Sequence, residues 1–274
     1  MTIRNILYHG FNGEAGEAVE QAAIRLADDH DASLTALSVV DNTPIPTYVM
    51  PYVPVNMAET YIDEARADAQ KVKARCAESE RTSGRSIEWR YAEGDIRAVF
   101  TQQARYTDLC VLAQGAGDNV PVGPSLNLPS DLVMSSGRPV LVVPWNWSGS
   151  HIGKRVVISW NGSKEATRAL HDSMPILEKA DAVKVITVGP EETRHIPGAE
   201  TAQHLAQHGV NVEADHVIER DRSTAEAICD SVRDFGADLL VGGAWGHSRM
   251  LQTIMGGVTH DLLNNPPAPL FLSH

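Results

Sequence analysis

Gly243, Gly246, Gly256 and Gly257 fall in the pattern G-x2-G-x9-G-G and lead into Val258-Thr259. Glycines so spaced let a backbone approach an anion closely and adopt conformations closed to other residues. Gly256-Gly257-Val258-Thr259 reads as the start of a helix. The first N–H groups of a helix lack intrahelical partners, and its dipole favours negative charge there. Ser248, Arg249 and Thr259 can add hydrogen bonds or positive charge. The chemistry that fits is the holding of a phosphate. The blander reading is a tight turn and a close helix–strand contact. Gly242 and the four glycines above flank a strand-to-helix crossover, where open α/β sheets bind ligands. That placement favours the phosphate.

The elements that position these glycines alternate. Val156–Trp160 reads as a strand, followed by the turn and helix cap Asn161-Gly162-Ser163. A helix runs through Leu177. Val183–Val188 is a strand, Ala199–His208 a helix and Val212–Ile218 a strand. Ser223-Thr224-Ala225-Glu226 has the capping-box form and opens a helix to Phe235. Asp238–Gly242 is the fourth strand, Thr259–Asn264 a helix and Leu270–Ser273 the last strand. Strands alternating with helices imply a mainly parallel sheet covered on both faces.

The same order occurs earlier in the chain. Ile6 to Gly13 aligns with Arg155 to Gly162 at an offset of 149, continuing without a gap to Val39 and Val188. Thr107-Asp108-Leu109 aligns with Ala237-Asp238-Leu239 at an offset of 130, which carries Pro139–Val142 onto Pro269–Leu272. Repeats of this length are whole domains rather than solenoid units. The expected boundaries are 1–147 and 152–274, joined by the linker Pro144–Ser150. The first copy spends its extra residues on the Pro-rich segment Thr43–Pro54 and a long helix, Met57–Glu80.

Composition excludes several classes. The 274 residues carry 23 Lys+Arg against 35 Asp+Glu, a net charge of −12. That acidity argues against a nucleic-acid or anionic-membrane binder. Cys76, Cys110 and Cys229 are scattered without a CxxC, so neither a disulfide framework nor a thiolate zinc site is expected. No apolar stretch approaches the roughly 20 residues of a membrane span. The N-terminus lacks a signal-peptide pattern, and the expected location is the cytoplasm.

Gly243-x2-Gly246-x9-Gly256 resembles the nucleotide-phosphate signature of the universal stress protein family, G-2x-G-9x-G-(S/T). Val156–Gly162, the Ala237–Gly242 strand and Pro269–His274 resemble the family as well. The resemblance covers both halves, so the chain resembles a tandem universal stress protein. It implies two tandem three-layer α/β/α sandwiches, each with a mainly parallel five-stranded sheet, of the adenine nucleotide alpha hydrolase-like type. It implies ATP or another adenine nucleotide in the second copy, with Mg²⁺ as the accompanying ion. Carried over by position, Gly243, Gly246 and Gly256 hold phosphates and ribose, with the backbone of Gly257, Val258 and Thr259. The adenine sits near Val188. Asn161 stands where the family usually has an Asp, and His247 is a loop residue beside the nucleotide. Two departures are Gly257 in place of a hydroxyl residue and the uncharged Asn161. The last strands of the two copies are expected to pair with each other, and a homodimer or other protein partners are compatible with the family.

Copy one lacks glycines at these positions: Ala113, Ala116, Leu126 and Asn127 stand there, and Pro129 at that of Thr259, with a loop shifted onto Gly115 and Gly117 as the alternative. One nucleotide per chain is therefore expected. The role expected is regulatory rather than catalytic. No general base, carboxylate pair or arginine finger is evident near the glycines, and Asp261 is the nearest acid in sequence. A non-binding interaction module and a slow adenylate hydrolase are the alternatives. Gly149–Arg155 shares the glycine–lysine outline of a P-loop but precedes its strand. His204 and His208 have chelating i,i+4 spacing, read as a solvated face. His247-Ser248 is not a catalytic pair, since no nucleophile elbow exists. Trp145 and Trp147 are expected to pack the linker.

Overall fold

The computed structural model describes residues 2–42, 57–115, 127–189, 198–219, 222–246 and 257–274. The first half runs β1 (Asn5–His9), α1 (Glu14–His30), β2 (Ser33–Val40), α2 (Met57–Ser83), β3 (Ile87–Glu93), α3 (Ile96–Ala104), β4 (Leu109–Ala113), α4 (Leu128–Ser135) and β5 (Val140–Val143). The second half runs β6 (Arg155–Ser159), α5 (Lys164–Leu177), β7 (Ala182–Gly189), α6 (Ala199–Gln207), β8 (Val212–Ile218), α7 (Thr224–Phe235), β9 (Leu239–Gly243), α8 (Val258–Asn264) and β10 (Leu270–Ser273). The alternation read from the sequence is present throughout. The Pro-rich segment 43–54 lies outside the described residues.

The strands form one ten-stranded sheet in the order β3-β2-β1-β4-β5-β10-β9-β6-β7-β8. Within each half all pairings are parallel. The halves meet where β5 and β10 pair antiparallel, with Leu141 opposite Phe271. This is the expected pairing of the two last strands. It removes two apolar edges that would otherwise be open to aggregation. The central strands are buried on both faces, which accounts for their unbroken apolar runs. Helices α1, α2, α5 and α6 supply the core on one face, and α3, α4, α7 and α8 on the other.

The sheet corrects the repeat register. His9 pairs with Leu37, and Ser159 with Ile186. His9 therefore matches Ser159, one residue away from the ungapped alignment, while Leu37 still matches Ile186. The caps agree: α1 follows Gly13, and α5 follows Ser163. The extra residue lies in copy one between the start of α1 and β2. A buried strand without polar alternation shifts by one residue with no visible change in pattern, so the apolar match hid the gap. In the corrected register Phe11 matches Asn161, and Gly16 matches Ala166.

The repeated Asp-Leu pair has a structural role. Asp238 accepts from the Gly153, Lys154 and Arg155 amides at 2.9–3.1 Å, and Asp108 from those of Arg4 and Asn5 at 2.8 and 3.1 Å. The glycine–lysine segment that outlines a P-loop thus already holds an anion, the chain's own carboxylate. Trp147 packs on the core beside the linker, as expected. The long α2 is anchored through buried Glu20, which accepts from Tyr8, Arg75 and Ser79. All three cysteines are free. No described helix is long and apolar enough to cross a membrane.

Candidate functional site

In the second half the chain leaves β6 toward β7 and β8, then returns on the other side of β6 as β9. The loops after β6 and β9 therefore diverge from neighbouring strand ends, where Ser159 pairs with Gly242. Such a reversal leaves a crevice at the carboxyl ends of the strands. The structure brings 160–163 and 243–246 to it.

Gly243 is pressed against the first turn of α5. A Cβ there would stand 2.4 Å from the Ala166 amide nitrogen, so packing alone demands glycine. At Gly246 a Cβ would stand 3.2 Å from Glu165 Oε2 and 3.3 Å from Ser163 Oγ, which is tight against side-chain atoms only. Gly257 caps α8 with extended backbone at φ −152°, which any residue adopts.

Asn161 Oδ1 accepts from the Ser163 amide at 3.1 Å, and Ser163 Oγ accepts from the Ala166 amide at 3.1 Å. The turn after β6 is thereby held by its own side chains. Val188 is half-buried at the end of β7 and packs on the face covered by α7 and α8. Thr259 is buried, and its hydroxyl accepts from the Trp245 amide at 3.4 Å, tying α8 to the loop after β9. Val258 is half-buried beside it. His247, Ser248, Arg249 and Gly256 lie outside the described residues.

Three site residues escaped sequence reasoning. Trp245, inside the glycine motif, takes φ 52°, a left-handed conformation costly for a non-glycine residue. Its place between two glycines was the available signal. His274 Nδ1 lies 2.9 Å from the Ala244 carbonyl, so the last residue braces the same loop. Glu165, only 3% exposed, comes to Gly246, although Asp261 was the acid nearest in sequence. No local pattern marks it; only the packing of α5 on β9 brings it there.

The equivalent reversal in the first half, between β1 and β4, is built differently. His9, at the place of Ser159, is buried and packs its ring on Phe11 and Phe100 at centroid distances of 4.7 and 5.0 Å. Burial holds its pKa down to about 4. Five residues after its cap, α3 has Phe100 where α7 has Ile228. At the end of β4 Ala113 replaces Gly243, and just beyond it the buried Gln114 donates through Nε2 to the Asn264 carbonyl at the end of α8.

Residues 154–274 match the model of the universal stress protein family. This segment is a universal stress protein domain. Among solved structures, a universal stress protein from Archaeoglobus fulgidus DSM 4304 is 15% identical with a TM-score of 0.75, covering 99% of this chain and 96% of its own. A protein of unknown function from Pseudomonas aeruginosa PAO1 is 14% identical with a TM-score of 0.59, covering 99% of this chain and 92% of its own. At such identities these likenesses show the fold, and they do so across both halves. No curated protein matches the chain. The universal stress protein domain so defined begins at β6 and contains every glycine of the motif.

Proposed function

We propose that the chain is a tandem stress-response protein, with domains at 1–147 and 152–274, that binds one adenine nucleotide at the β6–β9 crevice. The observation that carries this reading is the contrast at the two strand reversals. Ser159 and the buried Ile228 stand in the second half where His9 meets Phe100 edge-on in the first. The base would lie toward Val188, and the phosphates along Gly243–Gly246 and the Gly257–Thr259 amides. Among the described residues no side chain caps this end of α8, which favours an anion there. A buried carboxylate beside phosphates repels them unless a cation intervenes. Glu165 already has the Lys164 ammonium at 3.4 Å, and Mg²⁺ would be the second cation there, accompanying the nucleotide, ATP being the first candidate.

The role we assign is regulatory, in a reducing cytoplasm consistent with three free cysteines. Among the described residues, the titratable groups placed at the crevice are Glu165, paired with Lys164 at 3.4 Å, and His274, whose Nδ1 is engaged with the Ala244 carbonyl, so neither stands free as a phosphoryl-transfer group would. Titration calorimetry of the nucleotide-stripped chain with ATP and Mg²⁺ tests the proposal. Saturable binding at one per chain is expected. No binding at millimolar ATP returns the chain to the interaction-module reading.

A further inference from the structure

Apart from the crevice, α5 and α6 bring three histidines together. His204 and His208 lie one turn apart, with ring centroids 4.8 Å apart and planes at 67°. His171, from α5, stands against His204 with centroids 5.5 Å apart and planes at 68°. His204 is the ring shared by both contacts, and its Nε2 is buried with no hydrogen-bond partner. A buried polar nitrogen left so forfeits the bond it would make to water. The i,i+4 pair is thus not merely a solvated face, because the third ring comes from another helix and part of His204 is withdrawn from solvent.

The spacing suits a metal ion. Zinc–nitrogen bonds are about 2.0–2.1 Å, and with the ring centre roughly 1.1 Å behind each nitrogen, two imidazoles on one tetrahedral ion have centroids about 5 Å apart. Both observed separations lie near that value. Among the described residues no three donors are already gathered about a common point. His171 and His208 are exposed, however, and rotation about their side-chain torsions supplies the closure. Arg168, one turn before His171, is paired with Asp172 at 3.2 Å, which blunts its repulsion of a cation. Glu200 precedes His204 by one turn, and the net charge of −12 favours cations at long range.

We infer that His171, His204 and His208 form a site for a divalent transition-metal ion that prefers imidazole, with water completing the coordination. The ion would clasp the nine-residue α6 to α5. The test is titration of the untagged, chelator-treated full chain with Zn²⁺ in the absence of nucleotide, together with its thermal unfolding. One ion per chain is expected, with a rise in Tm through binding to the folded state. His171→Gln and His204→Gln should each weaken binding about tenfold or more and remove the rise in Tm. His260→Gln, an exposed histidine on α8, should change neither. His171 is itself exposed, so its variant keeps the test valid if His204→Gln fails to fold. Absence of saturable micromolar binding, full affinity in His171→Gln, or equal loss in His260→Gln overturns the site.

Discussion

The two halves of this sheet share strand order, the aspartate that holds the start of each half and the strand through which they join. They part company at the strand reversals. In the first, His9, Phe11 and Phe100 pack together, and Ala113 ends β4. In the second, Ser159, Asn161 and Ile228 occupy the same positions, and Gly243 ends β9. Close packing also demands glycine at different places: a Cβ on Gly16 of α1 would stand 2.0 Å from the carbonyl oxygen of Phe11 in the loop before that helix, and one on Gly243 of β9 2.4 Å from the Ala166 amide nitrogen of α5. A sheet can therefore keep its architecture while the side chains packed at its two strand reversals differ.

The most disruptive test of this contrast is Gly246→Val. We expect ATP affinity to fall by about a hundredfold or more, roughly 3 kcal/mol, with little change in Tm. Unchanged affinity by calorimetry would remove Gly246 from the site. The filled reversal should show itself in acid. His9 is held at about 4 when folded, against 6.5 for an ordinary histidine. Below pH 6.5 the unfolded chain takes up a proton that the folded chain refuses, so stability present at neutral pH is lost as pH falls toward 4. The loss reaches about 3 kcal/mol, and His9→Leu should remove it from urea unfolding measured between those pH values.

Gly243→Ala should destabilise the chain by about 2 kcal/mol, because the new methyl meets the backbone of α5. Gly242→Ala, with nothing within 4 Å of its Cβ, is the matched control and should lie within about 0.5 kcal/mol of wild type. Ser159→His transplants the filling of the first half into the second. We expect ATP to bind about tenfold more weakly, or about 1.4 kcal/mol, with the glycine loop untouched. The smallest effect concerns capping. Ser223 and Glu226 form a reciprocal capping box, and Ser223→Ala should cost about 1 kcal/mol in thermal unfolding.

Much of the architecture was legible before any coordinates. Apolar runs, caps such as Ser163 and Ser223, and stops such as Gly236 act over a few residues, and they mark elements wherever they occur. The glycine spacing likewise pointed to the loop after β9. What stayed illegible came from distant parts of the chain. Glu165 reaches Gly246 only because α5 packs on β9, and His171 meets His204 only because α5 and α6 share a face of the sheet. The one-residue gap in the repeat was invisible because buried strands are uniformly apolar.

The sequence by itself determined the alternation of strands and helices, the internal duplication and the loss of the glycines from the first copy. These follow from local chemistry, namely periodicity, capping and the absence of a Cβ. The tertiary structure alone decided that the halves share one sheet, that Gly243 is demanded by packing as well as by any ligand, and that His9 and Phe100 meet where the second half has Ser159 and Ile228. Those outcomes depend on which side chains long-range strand pairing makes neighbours, and no local pattern in the chain encodes that.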